Sequence, residues 1–203
     1  MIERNSMNVG AVILAAGSSS RMGSPKQTLQ FEGNSLLRRA ALAALGAGCH
    51  PVVVVTGAHA ELCRRELNGL DVREAFNATW ETGMASSVRV GIEGLISMDA
   101  GVTAAVLLLC DQPHVTSHVL SNLIAARHTT GRSVIASAYG GSFGVPALFS
   151  RTLFAELTEL QGTSGAKEII KRHASNAHFS SFPEGSVDVD TPDDLDRIAE
   201  LQD

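Results

Sequence analysis

Two cations, Arg21 and Lys26, belong to a run whose other residues are mostly glycine and serine, Gly17-Ser-Ser-Ser-Arg-Met-Gly-Ser-Pro-Lys26. Small residues let backbone N–H groups approach an anion, and successive N–H groups can form a concave nest. The chemistry this suggests is a triphosphate held by backbone dipoles and two mobile positive charges. A carboxylate, Asp111, follows the most apolar run of the chain in Cys110-Asp111-Gln112-Pro113. A hard cation such as Mg²⁺ takes one or two carboxylates together with phosphate oxygens, and Asp111 is a candidate to supply one. Each feature has a plainer reading beside it. Gly/Ser loops often only turn the chain, and Asp close before Pro is a common turn former. The loop fits neither GxGxxG nor GxxxxGK[ST]. His114 and His118 lie near Asp111, but imidazole is a poor Mg²⁺ ligand, so both are taken as incidental.

The elements that must position these groups can be read from hydrophobic patterning. Val9 to Leu14 is an apolar, β-branched run that reads as a buried strand. The Gly/Ser loop leaves its carboxyl end, where α/β sheets bind ligands. Leu36, Leu37, Ala40, Ala41, Ala44 and Leu45 recur at helical spacing, with Ser35 as N-cap and Gly46 and Gly48 at the end. Pro51 to Thr56 is a second buried strand followed by Gly57. A short helix over Ala60 to Leu67 shows a charged, solvated face, and Asp71 to Glu74 is a short strand. In TGMASSVRVG, residues 82–91, Val88 and Gly91 with Ile92 and Leu95 form one helix face. Gly83 to Ser87 then sit at or just before an amino end, where free N–H groups and the positive dipole suit phosphate or a polar base edge; on spacing alone a bare N-cap role for Ser86 or Ser87 is the favoured reading.

Ala104 to Leu109 should be the central strand, placing Asp111 at its carboxyl end. Beyond it the sequence predicts a helix over Ser117 to His128, a strand over Val134 to Ala138, a Gly-rich stretch from Tyr139 to Phe149 and a helix over Ser150 to Leu160. Another helix opens after Gly162-Thr163-Ser164-Gly165 and ends near His173. Thr191, Pro192 and Asp194 form a capping arrangement for a last helix from Pro192 to Leu201. Strand–helix alternation of this kind is the pattern of βαβ units and a parallel sheet.

The 203 residues are 44% hydrophobic, which suits one α/β domain with a full core, and no linker or repeat suggests a boundary. A formal charge of −5 carries no basic footprint for nucleic acid. Cys49, Cys63 and Cys110 form no metal-type spacing, and a sparse odd set points to a reducing compartment. The start has no apolar segment of a signal peptide, and no run approaches the roughly 20 residues of a membrane span. A soluble, cytoplasmic protein is expected.

The run LAAGSSSRMGSPKQ resembles the nucleotidyltransferase signature L-A-A-G-x-S-x-R-M-G-x-x-K, and within that superfamily it is most similar to the molybdenum cofactor cytidylyltransferases. Three further stretches are similar to motifs of that family: Gly83-Met84-Ala85-Ser86-Ser87, Cys110-Asp111-Gln112-Pro113 and Val189-Asp190-Thr191-Pro192-Asp193-Asp194-Leu195. Ala85 stands where many relatives have serine, and Thr163 stands where relatives show aspartate.

The resemblance implies a single Rossmann-like, three-layer α/β domain over residues 1–203, of the nucleotide-diphospho-sugar transferase type, with a mixed, mostly parallel sheet. It implies Mg²⁺-dependent transfer of CMP from CTP to the phosphate of molybdenum-bearing molybdopterin, with release of pyrophosphate and no side-chain nucleophile. Arg21 and Lys26 would be catalytic, neutralising the triphosphate. The nucleotide-binding set would be Leu14, Ala15, Ala16, Gly17, Arg21, Lys26, Thr56, Gly57, Gly83, Ser87 and Asp111, with Gly83 and Ser87 at the nucleobase and ribose. Asp111 and Asp190 would hold the Mg²⁺. Guanylyl-transferring relatives show L-A-G-G where this chain has Leu14-Ala15-Ala16-Gly17, so the Ala16 methyl is expected to narrow the base pocket against purines. The Tyr139–Phe149 region would shape the acceptor side, and a molybdenum hydroxylase would be a transient partner. Two alternatives stay open: transfer of another nucleotide, to a sugar or polyol phosphate or with GTP, and a non-catalytic maturation factor that hands the cofactor to a hydroxylase.

Overall fold

The computed structural model describes residues 8–19, 25–189 and 194. Arg21, Asp190 and, apart from Asp194, the helix expected from Pro192 to Leu201 lie outside the described residues.

Seven strands form one sheet: β1 (Val9–Leu14), β4 (Val52–Thr56), β5 (Arg73–Phe76), β6 (Ala104–Leu109), β7 (Val134–Tyr139), β8 (Ser142–Ser150) and β9 (Ala177–Ser181). The intervening β2 (Gln30–Phe31) and β3 (Asn34–Ser35) make a separate small hairpin. The sheet order is β5-β4-β1-β6-β8-β7-β9, so β6 is central, as its apolar run predicts. All neighbouring pairs are parallel except those of β8, which runs antiparallel to both β6 and β7. The architecture is therefore a mixed, mostly parallel sheet.

Burial on both faces explains the near-continuous apolar strands. Val9, Ala11 and Ile13 of β1 and Ala104, Val106 and Leu108 of β6 join the core on the side of α1 (Leu36–Gly46) and α4 (Ser117–Thr130). The short helix α2 (Ala60–Glu66) contributes Cys63 to that layer. The alternate residues Val12, Ala105 and Leu107 face α3 (Met84–Met98), α5 (Phe154–Thr158) and α6 (Ala166–Arg172) on the other side. Three layers result. No helix among the described residues is long and apolar enough to cross a membrane.

Ser35 caps α1 as expected, its side chain accepting from the Arg38 N–H at 3.2 Å. Three expectations need correction. The Tyr139–Phe149 stretch is mostly strand: β7 turns through Gly140-Gly141 into the nine-residue β8. Pro146 is tolerated there because the β7–β8 register shifts between Ala136 and Ser137, and in this bulge a missing N–H costs no ladder bond. The helix expected from Ser150 begins later, since Ser150 ends β8 and a 3₁₀ turn over Arg151–Leu153 precedes α5. Finally, α3 starts at Met84 with Gly83 as its N-cap residue, so Ser86 and Ser87 lie in its first turn rather than capping it.

Candidate nucleotide-binding cleft

Leu14 and Leu109, the last residues of β1 and β6, are register partners, so the loops that follow them emerge side by side. This brings Lys26 to Asp111 across 85 residues of sequence, Nζ to Oδ2 at 2.9 Å. Both side chains line a cleft of about 630 Å³ at the carboxyl end of the sheet. Of the candidate residues, Leu14, Ala15, Ala16, Gly17, Lys26, Gly83, Ser87 and Asp111 line it together.

The loop after β1 is held by its carbonyl groups. Gln27 Nε2 donates to the Ala15 carbonyl at 3.0 Å and to that of Gly17 at 2.8 Å. The Ala58 N–H donates to the Ala16 carbonyl at 3.1 Å, and His59 Nε2 lies 2.9 Å from that of Ser18. Four successive carbonyls are thus engaged by protein groups. Among the described residues, no protein acceptor takes the N–H groups of Ala16, Gly17 or Ser18. A loop with occupied carbonyls and unclaimed N–H groups beside a lysine has the chemistry to receive an anion. Ser19 completes the tether, donating to Gln27 Oε1 at 3.2 Å and accepting from the Lys26 N–H at 3.0 Å.

Thr56 and Gly57 do not line the cleft. Thr56 is fully buried and its hydroxyl donates to Glu74 Oε1 at 2.5 Å. Gly57 instead lets the loops pack: a Cβ there would stand 2.6 Å from the Ala16 carbonyl oxygen and 2.9 Å from Trp80 Cβ. The amino end of α3 also differs from the expectation of free N–H groups. The Ala85 N–H donates to the Gly162 carbonyl at 3.2 Å and the Ser86 N–H to that of Gly83 at 3.2 Å. Gly83 has φ +116, and a Cβ on it would stand 2.3 Å from the Gly162 oxygen. That close approach carries Thr163 into the cleft wall.

Three organising residues were missed from the sequence. Gln27 is one. Asn77 is another: buried, its Nδ2 donates to Ser86 Oγ at 2.8 Å and Ser87 Oγ at 3.0 Å, while its Oδ1 accepts from the Thr79 N–H and hydroxyl. Trp80 lines the cleft beside Glu81 and Gly83. Only proximity in sequence to the Gly83–Ser87 motif could have flagged the last two.

Asp111 Oδ1 is buried and has no hydrogen-bond partner among the described residues, while Oδ2 holds Lys26. A buried carboxylate oxygen without a partner, on a residue that lines the cleft, suits a hard cation. The backbone carbonyl of Asp111 accepts from the Val189 N–H at 2.9 Å, which brings the chain just before Asp190 alongside Asp111. Among the described residues no group of three or more His, Cys, Asp or Glu forms a metal cluster. Cys110, in the same wall, has its thiol pushed well above the ordinary value, first by burial and then by the Asp111 charge. It is held neutral and is no nucleophile. His114 packs edge-on against Phe31, which accounts for it structurally. A second, more apolar chamber of about 290 Å³ adjoins the cleft, sharing Leu14, Met84, Leu109 and Thr163 with it.

The model of the MobA-like NTP transferase domain matches residues 11–177. The chain belongs to that family. It is 34% identical over 202 residues to nicotine blue oxidoreductase of Paenarthrobacter nicotinovorans, covering 94% of this chain and 96% of the relative. It is 31% identical over 200 residues to purine catabolism protein PucB of Bacillus subtilis, covering 92% and 94%. Molybdenum cofactor cytidylyltransferase of Escherichia coli is a more distant relative, 25% identical over 191 residues and covering 92% and 93%. Among solved structures, Rv0371c of Mycobacterium tuberculosis superposes with a TM-score of 0.76 at 31% identity, over 96% of this chain and 98% of that one. A further structure of that protein, with a TM-score of 0.71 and 29% identity over 95% and 98% of the two chains, is a complex with manganese. The fold is that of the nucleotide-diphospho-sugar transferases, and the chain is a nucleotidyltransferase of the MobA-like family.

Proposed function

We propose that this nucleotidyltransferase transfers CMP from CTP to the terminal phosphate of molybdenum-bearing molybdopterin. An oxygen of the acceptor phosphate attacks the α-phosphorus in line, the α–β phosphoanhydride bond breaks, and pyrophosphate leaves with the bonding electrons. The observation that carries this reading is the β1 loop, with four carbonyls tied back and N–H groups left for an anion next to Lys26. The names of the relatives do not choose the reaction by themselves, since one is an oxidoreductase and another a purine catabolism protein. The cytidylyltransferase relative and the Ala16 methyl in the cleft wall favour cytosine.

In this reading the loop N–H groups and Lys26, with Arg21, bind the triphosphate and orient the α-phosphorus. They also offset the charge that builds on the departing pyrophosphate. Asp111 and Asp190 are the residues proposed to hold Mg²⁺, which when bound supplies further charge neutralisation on the phosphates. The partnerless Oδ1 of Asp111 and the manganese complex of Rv0371c support a divalent cation. Thr163 and the adjoining apolar chamber form the acceptor side, and the product would pass to a molybdenum hydroxylase. A cytoplasmic location goes with this reading and with three unpaired thiols.

A thermal-shift panel of CTP, GTP, UTP and ATP with Mg²⁺ tests the choice of nucleotide. CTP at 100 times its dissociation constant should stabilise the fold by about 2.7 kcal/mol. A larger shift with GTP, or none with any nucleotide, contradicts the reading.

A further inference from the structure

Trp80 occupies a part of the cleft that the phosphate chemistry does not use. It stands in a 3₁₀ turn, Trp80–Thr82, that feeds directly into α3 through Gly83. The backbone around it is fixed at several points. The Asn77 N–H donates to the Thr56 carbonyl at 2.8 Å, tying the segment to the end of β4. Asn77 Oδ1 accepts from both the N–H and the hydroxyl of Thr79, at 3.0 and 3.1 Å. The Gly83 N–H donates to the Trp80 carbonyl at 3.2 Å. Its Cβ and Cγ and the Ala16 carbonyl oxygen crowd the same point beside Gly57, so Trp80 stands next to the loop after β1. The same Asn77 holds Ser86 and Ser87, and Ser87 lines the cleft too. The indole is half-buried: it packs in part against the core on the α3 side and in part lines the cleft, and its apolar rings are surface that water solvates poorly.

We propose that Trp80 is the platform on which the nucleobase stacks, positioned by Asn77, which sets Ser87 on the same ligand. This rests on the reading of the cleft as a nucleoside triphosphate site and adds the surface that holds the base. A triphosphate anchored at the Ala16–Ser18 N–H groups and Lys26 leaves its nucleoside to lie along the neighbouring wall, where Trp80, Gly83 and Ser87 are. Stacking on an aromatic face is tolerant of base identity, because every base has a π-face. Trp80 therefore supplies affinity for the base, while Ala16 limits its size.

The chain has one tryptophan, so its fluorescence reports on this residue alone. The test is to titrate the unmodified protein with CTP and, separately, with inorganic tripolyphosphate, following emission and, in parallel, heat by calorimetry. CTP should quench Trp80 while tripolyphosphate binds without quenching it. Trp80→Leu should weaken CTP binding by at least about fivefold and leave tripolyphosphate binding unchanged, whereas Trp80→Phe should keep CTP binding within about threefold. Calorimetric binding of CTP with no change in emission, or equal changes with both ligands, overturns the stacking role and leaves the triphosphate site standing. Absence of heat with either ligand overturns the nucleotide reading, and the platform with it.

Discussion

At the scale of single residues, the Lys26–Asp111 pair sets the charge of the cleft. The two side chains are only 20% and 18% exposed, so their interaction is less screened than that of a surface pair. Lys26 is a compact ammonium on a flexible stem, able to leave a carboxylate for a phosphate without changing its charge. Lys26→Ala should lower turnover a hundredfold or more, about 2.7 kcal/mol of transition-state stabilisation, with the fold retained by circular dichroism. Near-normal turnover would mean that the loop is not the triphosphate site. The role proposed for Asp111 is different and rests on the oxygen that Lys26 leaves without a partner. Asp111→Asn keeps the shape and removes the charge, and electron paramagnetic resonance should show Mn²⁺ affinity in the presence of CTP falling at least tenfold. Asp190→Ala should do the same. Unchanged Mn²⁺ binding in either variant would remove that residue from the metal site.

Among the elements, the loop after β1 shows how a residue just past the signature fixes the shape of the loop. Gln27 is 2% exposed and supplies both donors that tie back the Ala15 and Gly17 carbonyls. Gln27→Ala leaves the buried Ala15 carbonyl unpaired, a loss of about 1–3 kcal/mol in stability. It should also raise the KM for CTP more than it lowers kcat, as the nest loses its shape; an unchanged KM would show that the loop is held by other contacts. This role could not be read from local pattern. The strands β1 and β6 were legible because an apolar run depends only on neighbours in sequence. Ser35 was legible because a cap acts within one turn. Gln27, Asn77 and Trp80 act through partners that only the folded chain brings near, such as the Thr56 carbonyl for Asn77. Strand β9 (Ala177–Ser181) was missed for another reason: among the described residues it pairs with β7 alone, its residues are half-buried or exposed, and its composition is polar. The length of β8 was hidden by Gly144 and Pro146, which normally argue against a central strand.

For the whole molecule, the sheet order places β6 between β1 and β8, so the cleft and the adjoining apolar chamber meet at the carboxyl ends of β1 and β6. One consequence concerns the thiols. Burial pushes Cys49 up to about 12 and Cys63 up to about 11, and Cys110 is raised in the same direction. None should react with a thiol-specific disulfide reagent at neutral pH until the protein unfolds, because the thiolate is the reactive form. Rapid labelling of the native protein would contradict this burial and reopen covalent chemistry at Cys110. The transfer itself can be measured directly. Purified protein, Mg²⁺ and molybdenum-bearing molybdopterin should be combined with each nucleoside triphosphate, measuring pyrophosphate release and the mass of the product. With CTP, pyrophosphate should form in step with a cytosine dinucleotide form of the cofactor. No pyrophosphate with CTP, or a guanine product formed faster from GTP, would contradict the proposed transfer.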